Sequence, residues 1–291
     1  MQKLTYINLL HQSITFGGEP PYILEHVKGL GKPPVNISTT RGAYQHGDTP
    51  RRILMEPRFV DLTFHIRGEN RADLYQKRVE LMDLLSFERA FDGKRQGRLF
   101  YENDYGRWWL HAVPEGPDPE KRVMDWMLSS KLSFRCANPY WNDDKSIKML
   151  ALSMSAGGFS FPFSFPIQFG DRRFSGVAFN NGQAATPLHI TIFGSGEMPV
   201  LVNNSTGAQL TVSQPIPGGS RLIIDTDPET LSVVMRDANG YEAPAHGYLT
   251  LDSPLSSFVL RRGENDIEYK PNQPSAQSRV ELQWSERMEG V

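Results

Sequence analysis

The chain has 291 residues, a formal net charge of −2 and a single cysteine. The near-neutral balance argues against a nucleic-acid binder, which carries a basic excess. One cysteine excludes an intrachain disulfide, so the fold does not rest on oxidation, which suits synthesis in a cytoplasm.

Length sets a prior of about two domains. The 25 glycines and 21 prolines, about 16% of the chain against roughly 12% in average usage, fit a protein of strands and tight turns. The N-terminal Met1–Asn8 has neither a long apolar core nor a small-residue cleavage site, so no signal peptide is read. No apolar run approaches the roughly 18 residues of a membrane span.

Short strand signals come first, at Tyr6–Leu10 and at Ile14–Phe16 before Gly17-Gly18. Residues 28–52 are expected to be irregular, because Gly29, Gly31, Pro33, Pro34, Gly42, Gly47 and Pro50 interrupt any long element. Within them, 40–48 reads as a long exposed hairpin or loop. In Arg58–Ile66, Leu62, Phe64 and Ile66 alternate with Asp61, Thr63 and His65, the period of a half-buried strand.

The period then changes. From Asn70 to about Ser86, Leu74, Leu81 and Leu85 share a helical stripe, with Tyr75, Val79 and Met82 beside it. Asn70 is placed to cap this helix, with Asp73 three residues on as an approximate capping box. Strands resume at Gly97–Tyr101 and Trp108–Val113, joined by a hairpin turn at Glu102–Gly106. Glu115–Arg122 reads as a loop of mixed charge. Met127–Phe134 is a further strand, which the Asn138-Pro139 step ends.

The rest is punctuated by glycine and proline. Residues 142–165 are read as linker and first strand, and the Phe-rich 157–166 as a strand or an ordered extended arm. Eight more strands are expected, at 188–193, 199–202, 209–212, 221–225, 232–235, 257–260, 265–269 and 279–284. Short strands with turns between them suggest a sandwich or jelly roll.

Catalytic patterns are scarce. The seven histidines form no helical pair of the kind a zinc site needs. No phosphate loop or dinucleotide fingerprint occurs, so no cofactor, metal or catalytic residue is assigned. Cys136 reads as a nucleophile or a small buried hydrophobe, and its place after Phe134 on an apolar face favours the second. Asp225-Thr226-Asp227 offers oxygen ligands for calcium, but a solvated turn is the preferred reading. Asp143-Asp144 offers a paired acid and base, against a solvated linker.

Long exposed loops usually have a task. Arg41, Tyr44, Arg51 and Arg52 on the 40–52 loop are therefore candidate partner contacts, with an ordinary solvated loop equally open. Tyr105 in the hairpin turn joins them. Trp108-Trp109 places one indole on each strand face. One belongs in a core, and the other, taken as Trp109, needs cover from the helix or a neighbouring subunit.

Phe134-x-Cys136-x-Asn138-Pro139-Tyr140-Trp141 resembles the end of the N-terminal domain in distal tail proteins of siphovirus-type phage tails. Other pieces agree in order. Arg52-Ile53-Leu54 precedes the alternating strand that ends Ile66-Arg67-Gly68, and one helix follows. Then come Ile190–Gly194, Pro199–Asn203 with Thr206-Gly207, Arg221–Thr226, Ser256–Leu260 and Gly263-x-Asn265.

The resemblance implies a mainly β protein with one helix. An N-terminal β-sandwich-like domain over 1–145 would form a ring, expected to be a hexamer. A galectin- or carbohydrate-module-like β-sandwich over 146–291 would face outward. The implied role is structural and not enzymatic, in the virion at the tail tip. The implied partners are the tail tube protein, the tail-tip hub protein, and receptor-binding or peripheral tail proteins. The alternative is a carbohydrate-binding module that recognises a host cell-surface glycan.

Overall fold

A computed structural model describes residues 2–153, 174–273, 275 and 277–291. It is mainly β and divides into two compact units, Met1–Lys145 with Met288–Val291, and Ser146–Arg287. The last four residues, which sequence reading gives to the second domain, pack with the first unit. The Phe-rich 157–166 lies outside the described residues.

In the first unit the strands are β1 (Lys3–Ile7), β2 (Ser13–Phe16), β3 (Tyr22–Lys28), β4 (Val35–Thr40), β5 (Thr49–Met55) and β6 (Arg58–Arg67). Two helices follow, α1 (Arg71–Leu84) and α2 (Phe87–Ala90). Then come β7 (Gly97–Glu102), β8 (Arg107–Met124), β9 (Met127–Cys136) and the start of β10 (Trp141–Ser153). Antiparallel pairing runs β2-β1-β7-β8-β9-β6-β3. The sheet curls towards a barrel but does not close, because β2 and β3 meet only through the bridge between Gly17 and Ile23.

Strand alternation fills the interior. Leu4 and Tyr6 of β1, Val60, Leu62, Phe64 and Ile66 of β6, and Leu132, Phe134 and Cys136 of β9 are all buried. Cys136 is therefore core. The helix forms as its sequence predicts: Asn70 Oδ1 accepts from Asp73 N at 3.0 Å, and Leu74, Leu81 and Leu85 are buried. Asp73 Oδ2 accepts from Glu69 N at 2.7 Å, so the capping box closes one residue before the cap.

Three sequence readings need correction. Residues 35–55 are an ordered hairpin, with Val35 opposite Met55 and Ile37 opposite Ile53. A bulge between Ser38 and Thr39 absorbs the register break beside Pro50. Glu115–Arg122 is strand, since β8 continues to Met124. Three register shifts against β9 let Pro117 and Pro119 pass through the ladder, as prolines in sheets require. Residues 142–153, within the segment read as linker and first strand, hold no linker: all are strand, within β10.

The second unit is a sandwich. It holds the rest of β10, then β11 (Ser175–Asn180), β12 (Thr186–Pro187), β13 (His189–Phe193), β14 (Val200–Asn203), β15 (Ala208–Thr211) and β16 (Arg221–Asp225). β17 (Ser232–Arg236), β18 (Glu242–Pro244), β19 (Val259–Leu260), β20 (Gly263–Lys270) and β21 (Arg279–Met288) complete it. One layer orders β18-β17-β16-β13-β21-β10, the other β11-β20-β14-β15, and β12 pairs with β19. Ile190, Ile192, Leu222, Ile224, Val280 and Leu282 of the first layer pack against Ala178, Leu201, Leu210, Ile267 and Tyr269 of the second.

β11, β12 and β18 are strands that sequence reading did not list. The Ser257–Leu260 segment is split between a 3-10 turn over Leu255–Ser257 and β19.

Candidate assembly surfaces

The hairpin β4–β5 pairs only with itself and is solvent-exposed along nearly its whole length. Its cross-strand pairs place Val35, Ile37, Ile53 and Met55 on one face. Val35 and Ile37 are each 49% exposed and Ile53 is 62% exposed. A two-stranded ribbon with an uncovered apolar face and two open edges is marginal in water by itself. Among the described residues nothing covers this arm.

The arm's root is fixed. It leaves after Lys28 through Gly29, whose φ is +88°. A Cβ there would collide with the carbonyl oxygen of Phe59, so only glycine fits. Buried Arg58, where the chain returns, bonds the carbonyl oxygens of Gly29 and Gly31. It also bonds those of Glu289 and, at 2.8 Å, Pro139. Val291 N donates to Leu30 O at 3.0 Å, and Lys32 pairs with Glu289 at 3.2 Å.

Four of the sequence-predicted contact residues come together here. Arg41 Nε donates to Gln45 O at 3.1 Å, and Arg51 Nε donates to Thr40 Oγ1 at 2.9 Å. Arg52 stands opposite Ser38 on the polar side. Tyr44 sits at the tip, fully exposed, with φ of +60°.

The other two lie on a separate hairpin, β7–β8. Tyr105 is almost fully exposed and stacks on Trp108 at 6.3 Å between centroids. Asn103 Oδ1 accepts from Tyr105 N at 2.8 Å and from Gly106 N at 3.0 Å, which fixes the turn. Trp108 is the buried indole. Trp109 is half-buried, and its cover comes from Arg98, 5.1 Å from the ring centroid, and His111, 5.1 Å away edge-on.

The apolar arm residues were missed in the sequence. Val35-x-Ile37 and Ile53-x-Met55 each alternate over only three residues, and no interior burial completes the pattern.

The side chains considered for chemistry are engaged otherwise. Asp225 Oδ2 accepts from Thr230 Oγ1 at 2.6 Å. Asp227 Oδ2 pairs with Arg287 at 2.6 Å, and Asp144 with Arg107 at 3.4 Å. Among the described residues no group of three or more His, Cys, Asp or Glu is placed to hold a metal. No helix among them is long and apolar enough to cross a membrane.

Residues 10–136 match the family described as phage tail protein RIFT-related domain. Residues 181–288 match the siphovirus-type tail component C-terminal domain. No curated protein matches the chain.

Among solved structures, the chain is similar to the Dit protein of phage SPP1, described as a paradigm of the hub adsorption apparatus in phages that infect Gram-positive hosts. The identity is 14%, the TM-score 0.69, and 99% of each chain is covered. It is also similar to a chain of the phage p2 baseplate in its activated conformation with Ca, at 11% identity and TM-score 0.58, covering 100% of this chain and 99% of that one. The same baseplate with Sr gives 11% identity and TM-score 0.58, with 100% of both chains covered.

Fold and family matches together define a structural component of a long-tailed phage virion. The chain belongs to the siphovirus-type distal tail protein family, whose place is the tail tip.

Proposed function

We propose that this protein closes into a ring, a hexamer, that joins the tail tube to the tail-tip hub and carries receptor-binding or other peripheral tail proteins. The observation that carries the reading is the arm, an ordered hairpin with one apolar face and two open edges that no part of the described chain covers. Such a ribbon binds by strand addition or by burying its apolar face. Chains that do this head to tail form rings where the rotation between copies closes and open filaments where it does not. Replacing 33–56 by a short Gly-Ser turn should abolish ring particles in negative-stain images and leave the thermal melting of the rest intact. Rings that persist without the arm would reject the arm's role.

A second reading, binding of a cell-surface glycan, draws on the outer face of β11. Exposed Phe179 stands opposite Glu264 there, and exposed Val177 opposite Asp266. An aromatic face flanked by carboxylates suits a sugar ring and its hydroxyls. Screening the full chain and Phe179→Ala on a glycan array tests it. Absent binding, or binding that Phe179→Ala leaves unchanged, rejects the reading.

A further inference from the structure

A cavity of about 600 Å³ opens between the β2–β3 turn and the β7–β8 turn. Ile14, Pro20, Pro21 and Tyr22 line it, with Glu19 and Asp104 on its exposed margin. Tyr22 is held in place, since its hydroxyl donates to Lys77 O at 3.0 Å. The cavity is larger than a tyrosine side chain, and its lining is mixed: Pro20 and Pro21 are the accessible apolar faces, Ile14 and Tyr22 lie buried behind them, and the rest is polar. A phenol ring can lie on the prolines with its hydroxyl among polar groups.

We propose that Tyr44, at the arm tip, seats in this cavity on a second copy of the chain. The inference rests on the ring reading and names its contact.

Three observations carry it. The first is that Tyr44 is preorganised. The turn that presents it is closed by Gln45 N to Gly42 O at 3.2 Å, Gly42 N to Gln45 Oε1 at 2.9 Å and Arg41 Nε to Gln45 O at 3.1 Å. The positive φ of a non-glycine residue is tolerated where its side chain has a use. A rigid, fully exposed aromatic is the usual anchor of an interface, because little freedom remains to be lost on binding.

The second is charge. Residues 41–52 carry Arg41, Arg51 and Arg52 against Asp48. The cavity is bordered by Glu19, Glu102 and Asp104 against Lys3; Glu102 is shared between that lysine at 3.2 Å and Arg107 at 3.9 Å, so the acidic excess is small and centres on Glu19. Opposite signs on the two surfaces favour their encounter and set its register.

The third is placement. The arm leaves β3 at Lys28, whereas the cavity lies at the Tyr22 end, about 20 Å away at the rise of a strand. Donor and acceptor are different surfaces at opposite ends of one strand. A contact between copies is therefore head to tail, the kind that generates a ring when the rotation between copies closes.

The test uses full-length chains. Cys136 is buried, so introduced cysteines would be the accessible thiols. Ala43→Cys, exposed beside an intact Tyr44, and Glu19→Cys proteins are mixed with a short bis-maleimide. A covalent dimer is expected in the mixture and in neither variant alone, and the double variant should give a ladder ending at the full ring. Tyr44→Ala should raise the concentration for half-assembly by about tenfold, the loss expected of an interface anchor, and Tyr44→Phe should leave it unchanged.

Intact rings that give no cross-linked product would overturn this contact and leave the ring reading standing. Cross-linking confined within single chains, or a product from either variant alone, would also overturn it. If no rings form under any condition, the ring reading itself fails.

Discussion

The guanidinium of Arg58 lies 5.7 Å from the centroid of the Trp141 indole, and both side chains are fully buried. The donors of Arg58 go to backbone carbonyls of Gly29, Gly31, Pro139 and Glu289. Burial pulls its pKa down to about 10, still high enough to keep the charge at neutral pH. One side chain thus ties the root of the arm, the start of β6, the stop after β9 and the Met288–Val291 segment.

That knot sets the first prediction. Trp141→Ala should lower stability by about 3–5 kcal/mol, as large aromatic truncations in cores do. Arg58→Ala takes the donor from four part-buried carbonyls, at roughly 0.5–1.5 kcal/mol net for each hydrogen bond lost. Arg58→Lys should not restore the loss, because an ammonium cannot reproduce the planar fork. Urea unfolding of the full chain measures all three. A midpoint unmoved in either alanine variant would contradict the knot.

Asn70→Ala removes the side-chain acceptor of Asp73 N. It should cost about 1 kcal/mol, and Asn70→Asp should recover most of it. Equal stability of the alanine variant and the parent would show that the cap contributes nothing.

Asp227 gives a pH signature. Its carboxylate pairs with buried Arg287 at 2.6 Å, yet burial raises its pKa above the ordinary carboxylate value and outweighs that attraction. With the folded pKa above the unfolded one, the native state binds the proton more tightly. The stabilising contribution of Asp227 is therefore fullest on the acid side and declines as pH rises through the folded pKa. The stability of the parent relative to Asp227→Asn should fall from acid towards neutral pH. Denaturation curves across that range would refute the assignment if the difference grew instead.

Much of this architecture was readable from residue order, for identifiable reasons. The alternation from Val60 to Ile66 became the inward face of β6, and the leucine stripe after Asn70 became the buried face of α1. In both, one face meets a core and the other meets water, so burial writes a period into the sequence.

The arm carries no such period. Its apolar face is uncovered in a single chain, and Pro50 with the bulge at Ser38/Thr39 breaks the register. The far half of β8 hid behind Pro114, Pro117 and Pro119, which its bulges accommodate. Arg58 drew no reading of its own, because its partners are backbone carbonyls, which leave no mark on residue identity. Gly29 was the one local clue. Tyr44 and the arginines became candidate contacts because a long polar loop invites that reading, and any cover for the arm lies outside one chain's sequence pattern.

The central claim is that this distal tail protein closes into a ring through its arm. The mass of the assembled protein, by native mass spectrometry at increasing concentration, tests it most directly. A discrete species near 197 kDa is expected, six copies of the 32.9 kDa chain, and the arm deletion should remove it. A mass that stays at 32.9 kDa at every concentration, or open oligomers that grow without limit, would contradict it.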